Sequence, residues 1–348
     1  MGEVIRDFQA GSDEAAVAAL WTRAFGAPRG GQTIDWLFRP GPAGVSPRSV
    51  AVVGDRIVAH AGGVAVRARV GSEEVLGAYS VGAMTDPAYQ GRGLFFKVGL
   101  HLYARLEREG FAFVAGFSNA KSHRLMTGPL KRRPVRPFPW AVRVLRPFHL
   151  LRSLVVPGTA DARAPQAWAA GASHGGVEVA SVEPGDPRLD AVWKRAAASV
   201  KVGCVRDAAF ARWRYGTRPD AGYRVLLAVR AGEPCGYLVY RAMRLRGIEA
   251  GFLLDFVLPP DAAPAGAALL GAAAELARTT GAALLSALLP GSGPARDALR
   301  SAGFLRIPER LHPQLIRFSV RGLGRHAGTT LLTDPKAWHL SWADTDVV

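Results

Sequence analysis

Apolar residues recur at helical spacing from Asp13 to Phe25, and Ser12 stands in front of them as an N-cap. A short helical piece around Asp35–Phe38 follows. The pattern then changes to strands over Ser49–Val53, Arg56–Val70 and Glu74–Thr85, the first two joined by the hairpin turn Gly54-Asp55 and the third stopped by Asp86-Pro87. Leu94 to Glu109 reads as a helix ended by Gly110. Phe111–Phe117 is continuously apolar, as a strand buried on both faces must be, and another helix starts near Asn119.

Between Leu150 and Gly176 this order dissolves into Pro, Gly, Ala and Ser, the signature of a connection. Beyond it the order returns. Strands are expected over Tyr223–Val229, Gly236–Met243 and Ile248–Leu258, then a stop at Pro259-Pro260-Asp261, a helix over Gly266–Thr279 and an apolar run Ala282–Leu289. Such a recurrence indicates an internal duplication with a period far longer than a solenoid repeat. The expected division is a first domain over 1–150, a linker over 151–176, a second domain over 177–322 and a C-terminal tail over 323–348.

Composition narrows the class. With 49% apolar and 21% charged residues in 348, the chain can pack a core and has room for two domains. Its 2 cysteines, Cys204 and Cys235, supply neither a disulfide framework nor a cysteine-based metal site. The first residues lack the apolar run of a signal peptide, and charges and prolines interrupt every long apolar stretch, so a cytoplasmic protein without a membrane span is expected. The formal charge of +16, from 44 Lys+Arg against 28 Asp+Glu, favours anionic partners, although an Arg-, Ala- and Gly-rich composition also follows from coding bias.

Local chemistry concentrates between Val81 and Leu94. Here a strand enters a turn with two glycines that opens directly into a helix, whose first amides lack intrahelical partners. The helix dipole adds positive potential, and Gly91 and Gly93 let the backbone approach an anion, so the turn suits a pyrophosphate. The residues Gln90-Gly91-Arg92-Gly93-Leu94, after Thr85-Asp86-Pro87-Ala88-Tyr89 and before Gly116-Phe117-Ser118-Asn119 and Ser122, resemble the acetyl-CoA signature of the GNAT (GCN5-related) N-acetyltransferase superfamily. The likeness covers about residues 3–135. In the second half it rests on element order and on Ser301-Ala302-Gly303-Phe304.

The resemblance implies an α/β protein of two GNAT-like domains, each a mixed, V-splayed β-sheet flanked by helices, the second degenerate. It implies acetyl-CoA as co-substrate and no metal. Gly82, Ala83 and Met84 would meet the pantetheine and polarise the thioester; Gln90, Gly91, Arg92, Gly93 and Leu94 would hold the pyrophosphate; Asn119 and Ser122 would contact the cofactor or fix the next helix. The second half departs from the pattern: Pro260-Asp261-Ala262-Ala263-Pro264-Ala265-Gly266-Ala267 keeps one glycine and places a donor-less proline where amides should face phosphate. Met126 stands where the family often carries a tyrosine acid.

Acyl transfer to an amine needs a base or a water relay near the thioester. The candidates are Tyr79 and Ser80 on the strand bordering the acyl group, His123 after Asn119, and the tail carboxylates Asp344 and Asp346. His123 has a plainer reading as a solvated helical histidine, and the tail one as a packed terminal strand with a solvated acidic end; Asp86 reads as a turn cap. The basic run Lys121, Arg124, Lys131, Arg132, Arg133, Arg136, Arg143, Arg146 and Arg152 reads first as a solvated inter-domain connector and second as a patch for an acidic substrate or the CoA 3′-phosphate; a nucleic-acid groove is a further reading, and the prolines argue against a regular DNA-reading helix. Arg206 to Tyr215 sets an aromatic-basic cluster at near-helical spacing that resembles the Trp-Arg-Tyr element of some tandem GNAT-like proteins; the plainer reading is a helix packing Phe210 and Trp213 inward. The expected activity is transfer of an acetyl group to the primary amine of a small molecule, such as an amino sugar, an antibiotic-like amine or an amino-acid derivative. The alternatives are a longer acyl or an aminoacyl-tRNA donor, or a non-catalytic acyl-CoA-binding module. The oligomeric state stays open.

Overall fold

The structure, a computed structural model, describes residues 2–26, 36–155, 172–218, 222–245, 247–312 and 316–345. The chain divides into two compact units, one of Met1–Pro137 with Gln314–Asp334, the other of Phe138–Pro313 with Pro335–Val348.

In the first unit, β1 (Val4–Asp7) is followed by helix α1 (Glu14–Phe25), then β2 (Arg48–Val53), β3 (Arg56–Val70) and β4 (Glu73–Thr85). Helix α2 (Leu94–Arg108), β5 (Phe113–Asn119), helix α3 (Ala120–Thr127) and β6 (Arg133–Pro137) complete the run. The sheet is ordered β1-β2-β3-β4-β5, then the strand Ile316–Gly322, then β6. Every neighbouring pair is antiparallel except β4 with β5. Leu94, Val98, Leu102 and Leu106 recur at the four-residue spacing of one helix face, and α2 buries that stripe against the sheet with Val58, Ala65, Ala78 and Val114.

The second unit repeats the plan. Its sheet runs Ala172–His174, Val177–Val182, Arg224–Arg230, Glu233–Leu245, Ile248–Val257, Leu284–Leu288, Trp140–Val144 and Leu305–Arg306, again with one parallel pair, Ile248–Val257 with Leu284–Leu288. Helix Ala263–Thr279 covers it, with buried alanines and leucines that allow close approach to the strands.

The expected boundaries are corrected on one point. Trp140–Val144 lies before the expected linker yet pairs with Leu284–Leu288 in the second sheet, whereas Ile316–Gly322, expected in the second domain, pairs with β5 in the first. Of the linker 151–176, residues 156–171 lie outside the described residues, and Pro147–Val155 is helical. Residues 36–38 are helical; Asp35 lies outside. Asp13, not Ser12, occupies the N-cap position of α1, where its carboxylate takes the Gln9 amide and Arg6.

Candidate active site

The site begins where the first sheet opens. Parallel pairing of β4 with β5 covers only Gly77–Tyr79 against Phe113–Ala115. Beyond it β4 runs on to Thr85 and β5 to Asn119 with no ladder between them, so the strands part into a V.

On the β4 side the backbone carries a bulge. Val81 faces Gly62 and Met84 faces His60, so Gly82 and Ala83 together oppose the single residue Ala61. Gly82 takes the left-handed φ of 66° that this bulge requires. His60 holds it there. Arg48 Nε donates to His60 Nε2 at 3.1 Å, which leaves the ring proton on Nδ1, and Nδ1–H donates to the Gly82 carbonyl at 2.8 Å. Burial, with the Arg48 charge beside it, pushes the His60 pKa down to about 3, so the ring is neutral.

After β4 the chain turns through Pro87–Tyr89. Asp86 caps this turn, accepting from the Ala88 amide at 3.1 Å and pairing with Arg23 and Arg56 at 2.7 and 2.8 Å, as its position before Pro87 suggests. Gly91 and Gly93 then adopt φ of 81° and 73°, and Gly93 is the N-cap of α2. The α2 ladder starts with the amides of Phe96 and Lys97 on the Gly93 carbonyl. The amides of Gly91, Arg92, Gly93, Leu94 and Phe95 make no backbone hydrogen bond among the described residues. A run of free donors at the positive end of a helix dipole fits a phosphate or diphosphate. Arg92 lies over the Tyr89 ring at 4.9 Å beside it.

These parts enclose a cleft of about 430 Å³. Ala83, Met84, Gln90, Gly91, Gly93, Leu94, Asn119 and Ser122 line it, which brings together eight of the ten residues expected at the cofactor; Gly82 lies beside it at the bulge and Arg92 on the turn. Asn119 is the N-cap of α3: its Oδ1 accepts from the Ser122 amide at 2.9 Å and from Ser122 Oγ at 3.0 Å. The sequence reading missed Phe25, Phe95, Phe96, Leu125 and Lys121, which also line the cleft, and His60, whose one signal was an ionisable residue inside an apolar strand.

The structure does not place the expected bases on this cleft. Tyr79 is buried in the sheet, paired with Val64 and Ala115. Ser80, at the point of divergence, is half-buried. His123 is a correction to the solvated reading: it is buried against the sheet with Nδ1 3.1 Å from Ser118 Oγ, and burial, then Arg317, lowers its pKa. Asp344 is likewise corrected. It is buried in the second unit, paired with Arg206 at 2.7 Å and locked in a capping box with Ser341, so its lone pairs are committed. Asp346 lies outside the described residues. Arg206 also meets Asp255 at 3.0 Å, and Tyr215 donates to that carboxylate at 2.5 Å. The Arg206–Tyr215 segment is therefore a buried polar network as well as an aromatic one, with Phe210 packed inward as expected.

Met126 is buried, and Tyr103 donates to its sulfur at 3.9 Å while accepting from Arg132 Nε at 2.6 Å. Arg132 is thus interior, not part of a solvated connector, and its Nη2 has no hydrogen-bond partner among the described residues.

Residues 5–123 match the family model described as an acetyltransferase (GNAT) domain. This segment is a GNAT domain. No curated protein matches the chain by sequence. Among solved structures, a GCN5-related N-acetyltransferase from Kribbella flavida matches with a TM-score of 0.60 and 17% identity, over 96% of this chain and 74% of that one. One from Anabaena variabilis matches with 0.61 and 11%, over 91% and 72%. N-myristoyltransferase of Saccharomyces cerevisiae, solved with bound myristoyl-CoA, matches with 0.61 and 12%, over 91% and 82%. These likenesses establish the fold over both units, and the family match covers residues 5–123 of the first. In the GNAT domain, the bulge and the free amides fall within the matched segment, as do the cleft-lining residues apart from Leu125. Among the described residues no group of three or more His, Cys, Asp or Glu could hold a metal, and no helix is long and apolar enough to cross a membrane.

Proposed function

We propose that the chain transfers an acetyl group from acetyl-CoA directly to the primary amine of a small molecule, an amino sugar, antibiotic-like amine or amino-acid derivative. One observation carries this reading: five consecutive amides, Gly91 to Phe95, are free of backbone partners at the edge of a cleft that runs to the β4 bulge. Donors at one end and an opened strand at the other match a long ligand with a diphosphate and an amide-bearing arm.

The chain's contributions follow from that geometry. The Gly91–Phe95 amides bind the diphosphate, and Lys121, which lines the same cleft, adds charge. The bulge, pinned through Gly82 by His60, turns the backbone of Ala83 and Met84 toward the cleft, where an amide can polarise the thioester carbonyl. The thioester supplies the activated acyl carbon. The amine adds to it, the C–S bond breaks and the thiolate departs. The proton that the amine loses passes to the departing thiolate or to solvent; of the expected residues Ser80, at the divergence of the strands, is the best placed to hand it along a water relay. Tyr79 is shielded within the sheet.

A second donor class has its own support. Phe25, Met84, Phe95, Phe96 and Leu125 give the cleft an apolar wall that also suits a longer acyl chain. The test is release of free thiol from acetyl-CoA across an amine panel, repeated with acyl donors up to myristoyl-CoA. Amine-dependent thiol release with acetyl-CoA supports the proposal. Binding without release with every donor and amine would reduce the chain to an acyl-CoA-binding module, and turnover with long donors alone would replace the acetyl assignment.

A further inference from the structure

A second cavity of the first unit, about 350 Å³, is lined by Lys131, Arg133 and Arg321 among others. It opens at the far end of β5 from the cleft. In the ladder with β5, Gly322 faces Phe113 and Ile316 faces Asn119. At roughly 3.3 Å per residue, the two places lie about 20 Å apart along the strand.

The cavity is built for an anion. None of Lys131, Arg133 and Arg321 forms an ion pair among the described residues. The one carboxylate on the wall, Glu107, accepts the Gly324 amide at 3.0 Å. Arg321 is pre-positioned, with Nη1 on the Leu130 carbonyl at 3.3 Å and its guanidinium carbon 5.6 Å from the Tyr103 ring centre. A separate observation concerns Lys131. Its φ is 53°, a left-handed conformation in which a lysine is strained and a glycine is not. That turn holds a cation on the cavity wall at a backbone cost. Three threonines, Thr329, Thr330 and Thr333, also line the cavity.

We propose that this cavity binds a small organic phosphate, its phosphate on Lys131, Arg133 and Arg321 and its polar remainder on the threonine wall. The site is independent of the acyl-CoA cleft and of the reaction assigned to it.

Calorimetric titration of the full chain with glucose 6-phosphate, inorganic phosphate and glucose at physiological ionic strength tests this. The variant is K131G/R133Q: glycine relieves the left-handed turn, and Arg133 contributes to the sheet through its backbone pairing with Val320. The expected result is binding of glucose 6-phosphate, weaker binding of inorganic phosphate and none of glucose. Loss of two charge-assisted contacts should weaken binding by about tenfold or more in the variant, with its melting temperature unchanged or raised. No binding of either phosphate by the wild-type chain overturns the proposal. So does undiminished binding by the variant, which would put the anion elsewhere, the Gly91–Phe95 amides included.

Discussion

Replacing His60 by glutamine tests how the bulge is held, and its magnitude follows from the burial of one ring. In the folded chain His60 is neutral down to about pH 3, whereas the same side chain in the unfolded chain titrates near its ordinary value of 6.5. Between those values the unfolded chain binds a proton that the folded chain refuses. Stability from this group is therefore intact above pH 6.5 and is lost as the pH falls toward 3, at about 1.4 kcal/mol for each pH unit. From pH 7 to pH 5 the loss is about 2 kcal/mol. Glutamine can accept from Arg48 and donate to the Gly82 carbonyl but does not titrate in this range. H60Q should cost about 1–2 kcal/mol at pH 7, through imperfect hydrogen bonds and loss of the edge contact with Phe38. Its stability should then fall about 2 kcal/mol less than the wild type's between pH 7 and pH 5. Urea unfolding followed by circular dichroism at both pH values gives the four numbers needed. Parallel pH dependence in the two proteins would refute the reasoning, because a ring that is protonated in the fold cannot donate only to Gly82.

Gly93→Ala places a methyl group where nothing stands within 4 Å, so no clash arises, but the φ of 73° strains it by about 1 kcal/mol. The melting temperature should drop modestly and the KM for the acyl-CoA should rise several-fold with little change in kcat; an unchanged KM would remove the amides from the binding site. Arg206→Met strands Asp255 and Asp344 in the core of the second unit and should cost about 3–5 kcal/mol by urea unfolding. Asp344→Asn should lower stability yet leave turnover per folded molecule unchanged, and a loss of kcat alone would restore Asp344 as a base.

Much of this could be read in the chain because it is local. Strand alternation, the Gly54-Asp55 hairpin and the helix face of Leu94, Val98, Leu102 and Leu106 fix their elements to within a residue or two. The turn Gln90–Gly93 was readable for the same reason: two glycines one residue apart, directly before a helix, are a local signal of exposed amides. Pairing across distance was not. Val142 and Phe318 look alike as strand residues, and nothing in their neighbourhoods says that the first joins Ser286 and the second Phe117. His123 and Asp344 misled in the same way. Helical and terminal residues are ordinarily solvated, and only the tertiary packing shows Ser118 beside one and Arg206 beside the other.

The two sheets run in a similar order and each has a single parallel pair, so topology alone cannot explain why one unit offers a turn of free amides and the other does not. Donors and room decide it. In the first unit, Cβ positions built at Gly91 and Gly93 meet nothing within 4 Å, and five amides stand free. In the second, the helix entry is closed by its own residues. Pro264 has no amide hydrogen, Ala262 donates to Pro259 and Gly266 to Ala262, both at 3.1 Å, and Asp261 is paired with Arg195 at 2.7 Å. A Cβ at Gly266 would lie 2.9 Å from Leu258 and 3.0 Å from Ala298, so this glycine serves close packing of its helix against Leu258 and the helix Pro294–Ser301. A diphosphate brought to that turn would face few donors and the carboxylate of Asp261. The duplicated fold thus keeps its core in both halves, while the features that fit an acyl-CoA belong to the turn of the first.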